Sequence, residues 1–248
     1  MNIIYRISDS GYSKVKPAYI NNEACLKNAI QTFPWFEHDW TILADNISEE
    51  TNDMIQKHSP RNFIEYISVG HGAGTFNLAL DEALQLPDEE VVYFLENDYL
   101  HKPNSDKIIQ EGLELGASFV SLYDHPDKYL PPTQGGNPYC EGGAEDTRVY
   151  LTESTHWKIT NSTTMTFAAT VSTLKRTEET LRKYTEGSYP EDFKMLYNVC
   201  EHSEFVTNVC SSTVFDFVAH DKPCIYYNYE NQIQIYIYLY LLFPLCKN

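Results

Sequence analysis

Two carboxylates, Glu96 and Asp98 with Asn97 between them, follow the apolar run VVYFL at 91–95. Side chains alternate along a strand, so residues i and i+2 face the same way. Both carboxylates can therefore reach one hard cation of the Mg2+ or Mn2+ type, which takes oxygen ligands and leaves positions for phosphate oxygens. A cation held there bridges a diphosphate and stabilises the charge that forms as the diphosphate leaves. A solvated acidic turn has the same letters. What separates the two is context. The run at 91–95 is continuous, β-branched and aromatic, the pattern of a central strand covered on both faces. A glycine-rich turn at 70–74 and an alanine-rich helical stretch precede it.

The elements that must position this turn alternate strand and helix. Residues 3–7 form an apolar run. Asn22 is placed to cap a helix with Leu26, Ala29, Ile30 and Phe33 at helical spacing. Residues 40–44 read as a second strand. Ser48, followed by Glu49 and Glu50, opens a second helix with acidic residues at its positive end. Residues 63–68 read as a third strand, and Thr75 leads a helix with Phe76, Ala79, Leu80, Ala83 and Leu84 on one face. Asn104 or Ser105 caps the next helix, and residues 117–123 the next strand. This order predicts an α/β fold, a mostly parallel central sheet flanked by helices. Ligands of such sheets bind beyond the carboxyl ends of the strands.

Beyond residue 124 the pattern changes. Residues 124–146 are rich in Pro, Gly and polar side chains and read as a long functional loop. Short strands at 149–151, 157–160 and 164–169 follow, then helices at 173–184 and from about 191. Trp157 and the tyrosines between 123 and 139 are of the type that stacks on sugar rings, or that fills a core.

The charge limits the partners. The formal net charge is −17, from 18 Lys+Arg against 35 Asp+Glu. That field repels nucleic acid and anionic membrane surfaces. It also makes an anionic nucleotide an awkward ligand unless a divalent cation screens its phosphates. The six cysteines show no C-x-x-C pair and no zinc spacing, which suits buried thiols in a reducing compartment. The sequence starts directly in a strand, without a signal peptide, which predicts the cytoplasm. Residues 233–246, IQIYIYLYLLFPLC, are almost wholly apolar. They fall short of the ~20 residues of a spanning helix and alternate like a strand. Membrane contact through this tail is conceivable but not favoured.

Four motifs, RISDSGY (6–12), FLENDYLH (94–101), LYDHPDKY (122–129) and STTMTFA (162–168), resemble GT-A-fold glycosyltransferases, in particular the small virus- and phage-type ones. The resemblance runs from about residue 3 to 223. It implies a single GT-A-like domain over 1–223, with a nucleotide-sugar-binding half to 123 and a smaller acceptor-side β/α half over 124–223. Residues 224–248 are left as a hydrophobic tail. It also implies a hexosyl- or pentosyltransferase that moves a sugar from a nucleoside-diphosphate sugar to a hydroxyl of a glycan or glycoconjugate, in the host cytoplasm if viral.

The resemblance assigns roles. Arg6, Ser8 and Asp45 lie where such enzymes hold base and ribose; a carboxylate accepts from a uracil imide, so Asp45 suggests a UDP-linked donor. Asn77 and Asn97 fall on the donor side. Glu96, Asp98 and the late His220 (in VAHDKPC) would hold Mn2+ or Mg2+. Asp192, in GSYPEDF, matches the segment that carries the base of inverting enzymes; Pro-Glu-Asp is also an ordinary helix start. Asp124, His125 and Asp127 would line the sugar or acceptor pocket. Asn97 departs from the family, which is more often acidic there. The competing readings are a sugar-binding pseudoenzyme module, a sugar-phosphate nucleotidyltransferase and, less well supported, an acidic-metal phosphatase.

Overall fold

The computed structural model describes residues 1–10, 16–139, 147–200 and 205–208; of Cys200 and of 205–208 it describes the backbone alone. The first half alternates β1 (Asn2–Ser8), α1 (Asn22–Thr32), β2 (Asp39–Asp45), α2 (Glu49–His58), β3 (Ile64–Ile67), α3 (Gly72–Leu84), β4 (Val91–Glu96), α4 (Ser105–Glu114) and β5 (Phe119–Ser121). The second half adds β6 (Val149–Leu151), β7 (His156–Ile159), β8 (Phe167–Thr170), α5 (Val171–Lys183), α6 (Asp192–Cys200) and β9 (Phe205–Asn208). All described strands join one sheet in the order β3-β2-β1-β4-β8-β5-β9-β7-β6. β7 and β8 run against the others, so the sheet is mostly parallel.

The side-chain alternation of β1 divides the core. Ile3, Tyr5 and Ile7 pack with Leu26 and Ala29 of α1, Phe33 just after it, Ile55 of α2 and Ile109 of α4. Ile4 faces the other way, into a core with Phe76, Ala79, Leu80 and Ala83 of α3, Leu174 and Leu181 of α5, and Met195 and Leu196 of α6. Three of the described helices thus cover each face. Phe76 is fully buried, and truncating it to alanine costs about 3–5 kcal/mol in a core of this kind.

Local differences from the sequence pattern have local causes. The cap of α1 is Asn21, not Asn22; its side chain accepts from Ala24 N–H. α3 starts at Gly72, inside the glycine-rich turn, because the His71 ring accepts from Gly74 N–H and supplies the cap. β5 is shorter than 117–123. β8 runs 167–170, since Thr166 and the residues before it bond across to β4 and the following turn. β9 lies between β5 and β7, a pairing with no signal in the periodicity. Among the described residues no helix is long and apolar enough to cross a membrane. His220, the 223 boundary and the 233–246 tail lie outside the described residues.

Candidate active site at the β1–β4 switch point

β1, β2 and β3 are laid down in one direction across the sheet, and β4 pairs with the opposite side of β1. The switch point lies between β1 and β4, where a crevice opens at the carboxyl ends of parallel strands. Arg6 and Glu96 are direct register partners there. Their side chains form an ion pair at 3.3 Å. Arg6, 6% exposed, also donates to the Gly72 carbonyl (3.3 Å) and the Met165 carbonyl (3.3 Å). The expected base or ribose ligand is thus the strut that ties β1 to α3, β4 and the loop before β8. Burial pushes the Glu96 carboxyl up to about 7, and the negative charges of Asp98 and Asp192 add to that; Arg6 and the Thr166 hydroxyl oppose it.

Asn97 sits in a chain of polar contacts. Its Nδ2 donates to Asn22 Oδ1 (2.7 Å) and the Ser8 carbonyl (3.3 Å). Asn22 Nδ2 donates to Asp9 Oδ1 (3.2 Å), and Asp9 accepts from the Ser48 N–H and the Thr51 hydroxyl at the start of α2. Ser8 itself exchanges hydrogen bonds with Ser10 at the mouth of the crevice. Asp98 is partly exposed and pairs with Lys16 at 3.0 Å.

Asp45 and Asn77 carry structural bonds. The Asp45 carboxylate accepts from Val69 N–H (2.7 Å) and Gly70 N–H (2.8 Å), fixing the turn into α3. Gly70 has φ +81, and a Cβ on Gly74 would lie 2.3 Å from Val69 Cγ1, so this turn needs both glycines. The Asn77 amide donates to the Thr185 carbonyl (3.0 Å) and accepts from the Thr185 hydroxyl (3.0 Å), tying α3 to the end of α5.

The segment 187–191 is held against the start of α3. Ala73 N–H donates to the Ser188 carbonyl (3.4 Å), and Pro190 Cδ lies 3.6 Å from a Cβ built on Gly72. This contact brings Asp192, first residue of α6, to the crevice. Burial raises the Asp192 carboxyl above its ordinary value; the Phe193 N–H and the His125 and Lys128 charges pull it down, while Asp127 pushes it up. Asp127 is held lower. Burial raises it, but the hydrogen bond and charge of His125, 2.9 Å away, and the Lys128 and Lys158 charges prevail. Glu96, Asp98, His125, Asp127 and Asp192 therefore share one electrostatic site, assembled from β4, the 124–139 loop and α6.

Asp124 lies behind that site, in an ion pair with Lys158 at 2.9 Å, both nearly fully buried. Tyr129 donates to Asp124 and accepts from Lys158. Lys128, 1% exposed, bonds Asn161 and Ser162. These lysines shape the 124–139 loop and escaped the sequence reasoning. The available signal was Lys158 between Trp157 and Ile159 in an apolar strand. Trp157 is 0% exposed and donates to the Thr152 hydroxyl (3.1 Å), so it is core and does not stack on a sugar.

The acidic turn after β4 is expected to hold a divalent cation. Asp98 fits that role: its carboxylate is accessible and already holds the Lys16 ammonium, where a cation neutralises it. Glu96 is neutralised by Arg6 and stands behind Asp98. A separate triad, Glu37, His38 and Asp106, has donor atoms within 4.8 Å of one another. His38 directly precedes β2, whose first residue pairs with Asn2. That triad is at the amino end of the sheet, about 20 Å from the switch point by strand rise, and belongs to no part of the crevice.

No protein-family model matches the chain, and no curated protein matches it. Solved structures do. GalNAc-T7 with UDP, GalNAc and Mn2+ matches with a TM-score of 0.52 at 12% identity, over 86% of this chain and 42% of that one. TarS 1-349 of S. aureus matches with a TM-score of 0.48 at 12% identity, over 97% of this chain and 63% of that one. The galactosyltransferase LgtC, in complex with donor and acceptor sugar analogues, matches with a TM-score of 0.45 at 13% identity, over 81% and 70%. The chain thus spans less than two thirds of the TarS and GalNAc-T7 chains. These structural neighbours are glycosyltransferases. At such low identity the likeness, carried by GalNAc-T7, is one of architecture: this chain has the GT-A fold.

Proposed function

We propose that the protein transfers a sugar from a nucleoside-diphosphate sugar, UDP-linked, to a hydroxyl of a glycan or glycoconjugate, with inversion at the anomeric carbon. The observation that carries this reading is the convergence of Asp98, Glu96 and Asp192 at the switch point of a GT-A sheet.

The parts divide the work. Asp98 and, outside the described residues, His220 would hold Mn2+ or Mg2+, which when bound neutralises the diphosphate of the leaving group. Arg6 pairs with Glu96 and keeps the floor of the crevice rigid. Asp192 takes the proton of the acceptor hydroxyl as its oxygen bonds to the anomeric carbon and the bond to the diphosphate breaks, the electron pair leaving with the diphosphate. A carboxylate with a raised pKa is the stronger base for this step. His125 and Asp127, beside Asp192, orient the acceptor. Asp45 and Asn77 shape the donor side through the turn and helix they hold.

The test is incubation with a panel of nucleotide sugars and Mn2+ while nucleoside diphosphate is measured. Release from one donor, increased by acceptor, supports transfer. Pyrophosphate release would indicate nucleotidyl transfer instead. Sugar binding without any release across the panel would indicate a binding module.

A further inference from the structure

We propose that Tyr139 is the platform of an acceptor subsite that takes the apolar C–H face of a neutral sugar ring. This deepens the transferase reading and rests on it for the word acceptor; the binding itself does not depend on turnover.

Three aromatic side chains stack on one another, two of them on α6, the helix that Asp192 opens. Tyr139 lies on Tyr197 with ring centroids 4.3 Å apart and planes within 9°. Phe193 joins them, 5.9 Å from Tyr139 at 17°. Phe193 and Tyr197 are one helical turn apart on α6, on the same face, and Asp192 is the residue before Phe193.

The platform is both exposed and fixed. Tyr139 is 55% exposed, although it belongs to a stack that would otherwise be covered in a core. Its N–H donates to Asn137 Oδ1 (2.9 Å). Asn137 is 1% exposed and donates to Asn161 Oδ1 (2.9 Å), which also accepts from Lys128. A rigid aromatic face costs little ordering on binding. Aromatic faces with a few convergent polar groups are the usual lining of small-ligand sites. Charge selects among sugars: the chain carries a formal net charge of −17, so uronic, sialic and phosphorylated rings are repelled and neutral rings are not.

Saturation-transfer NMR on the full chain tests this, with lactose, cellobiose and maltose as neutral probes and a glucuronic-acid disaccharide as the anionic one. The wild type saturates ring C–H protons of at least one neutral probe and binds the uronate at least fivefold more weakly. Tyr139→Ala loses at least fivefold in affinity for that probe, and Tyr139→Phe, which keeps the ring, stays within twofold. Thermal melts confirm that each variant is folded. Absence of neutral-sugar binding by the wild type, preference for the uronate, or unchanged affinity in Tyr139→Ala overturns the proposal. Nucleotide release from donor alone, measured on the wild type, reads the transferase assignment separately.

Discussion

Asn97 donates through Nδ2 to Asn22 Oδ1 at 2.7 Å, joining the turn after β4 to the first turn of α1. Asn22 in turn uses its own amide N–H on Asp9, so its oxygen needs a donor. An aspartate at 97 would bring an acceptor to that oxygen and a third charge beside Glu96 and Asp98. The asparagine that departs from the acidic family pattern is therefore a requirement of the contact.

Asn97→Asp should lower unfolding stability by about 1 kcal/mol, the scale of one lost side-chain hydrogen bond at a partly buried site. Urea denaturation measures it. Combining it with Asn22→Ala should add almost nothing, because the acceptor is then gone. Full additivity would show that the two residues are not coupled.

Lys16 and a divalent cation compete for Asp98. Lys16→Ala should tighten Mn2+ binding by up to about fivefold, since a partly exposed pair is worth about 1 kcal/mol or less. Asp98→Ala should remove metal-dependent nucleotide binding. Calorimetric titration with Mn2+ and UDP reads both. Unchanged binding in Asp98→Ala would make the turn purely structural.

Asp192→Asn should lower transfer by about 10²–10⁴-fold, the range of a lost general base, while donor binding measured by titration persists. Near-normal transfer would remove Asp192 as the base.

His101 makes the fold acid-sensitive. Burial holds its ring down at about 3, and its Nε2 bonds the Tyr93 hydroxyl at 2.8 Å. An unfolded histidine titrates near about 6.5. Between these values the unfolded chain takes up a proton that the folded chain refuses, so stability falls as pH drops. The loss is about 2 kcal/mol from pH ~6.5 to pH ~5, at ~1.4 kcal/mol per unit. Chemical denaturation at both pH values should show this excess loss in the wild type relative to His101→Gln, which keeps a partner for Tyr93 without the titration. Equal losses would refute it.

The element order as far as α6 and the carboxyl-end location of the acidic turn were legible in the sequence. Their signals are local: an apolar run for β4, helical spacing for α3, Ser48 as a cap that accepts from Thr51 N–H at 3.2 Å. Tertiary structure alone decided what each polar side chain does. Asp45 and Asn77 look alike as candidate ligands in one dimension, yet Val69, Gly70 and Thr185 absorb their hydrogen-bonding groups. Asp124 was expected in the pocket but lies in an ion pair with Lys158, a residue 34 positions on in the sequence and brought to it by the fold. Asp192 is held on the side of α3 by Ser188 and Pro190, which rest on the start of that helix. Secondary structure follows from contacts between near neighbours in sequence, whereas a buried polar group takes whichever partner the packed chain delivers, and its charge state is set by that partner and by the water it loses.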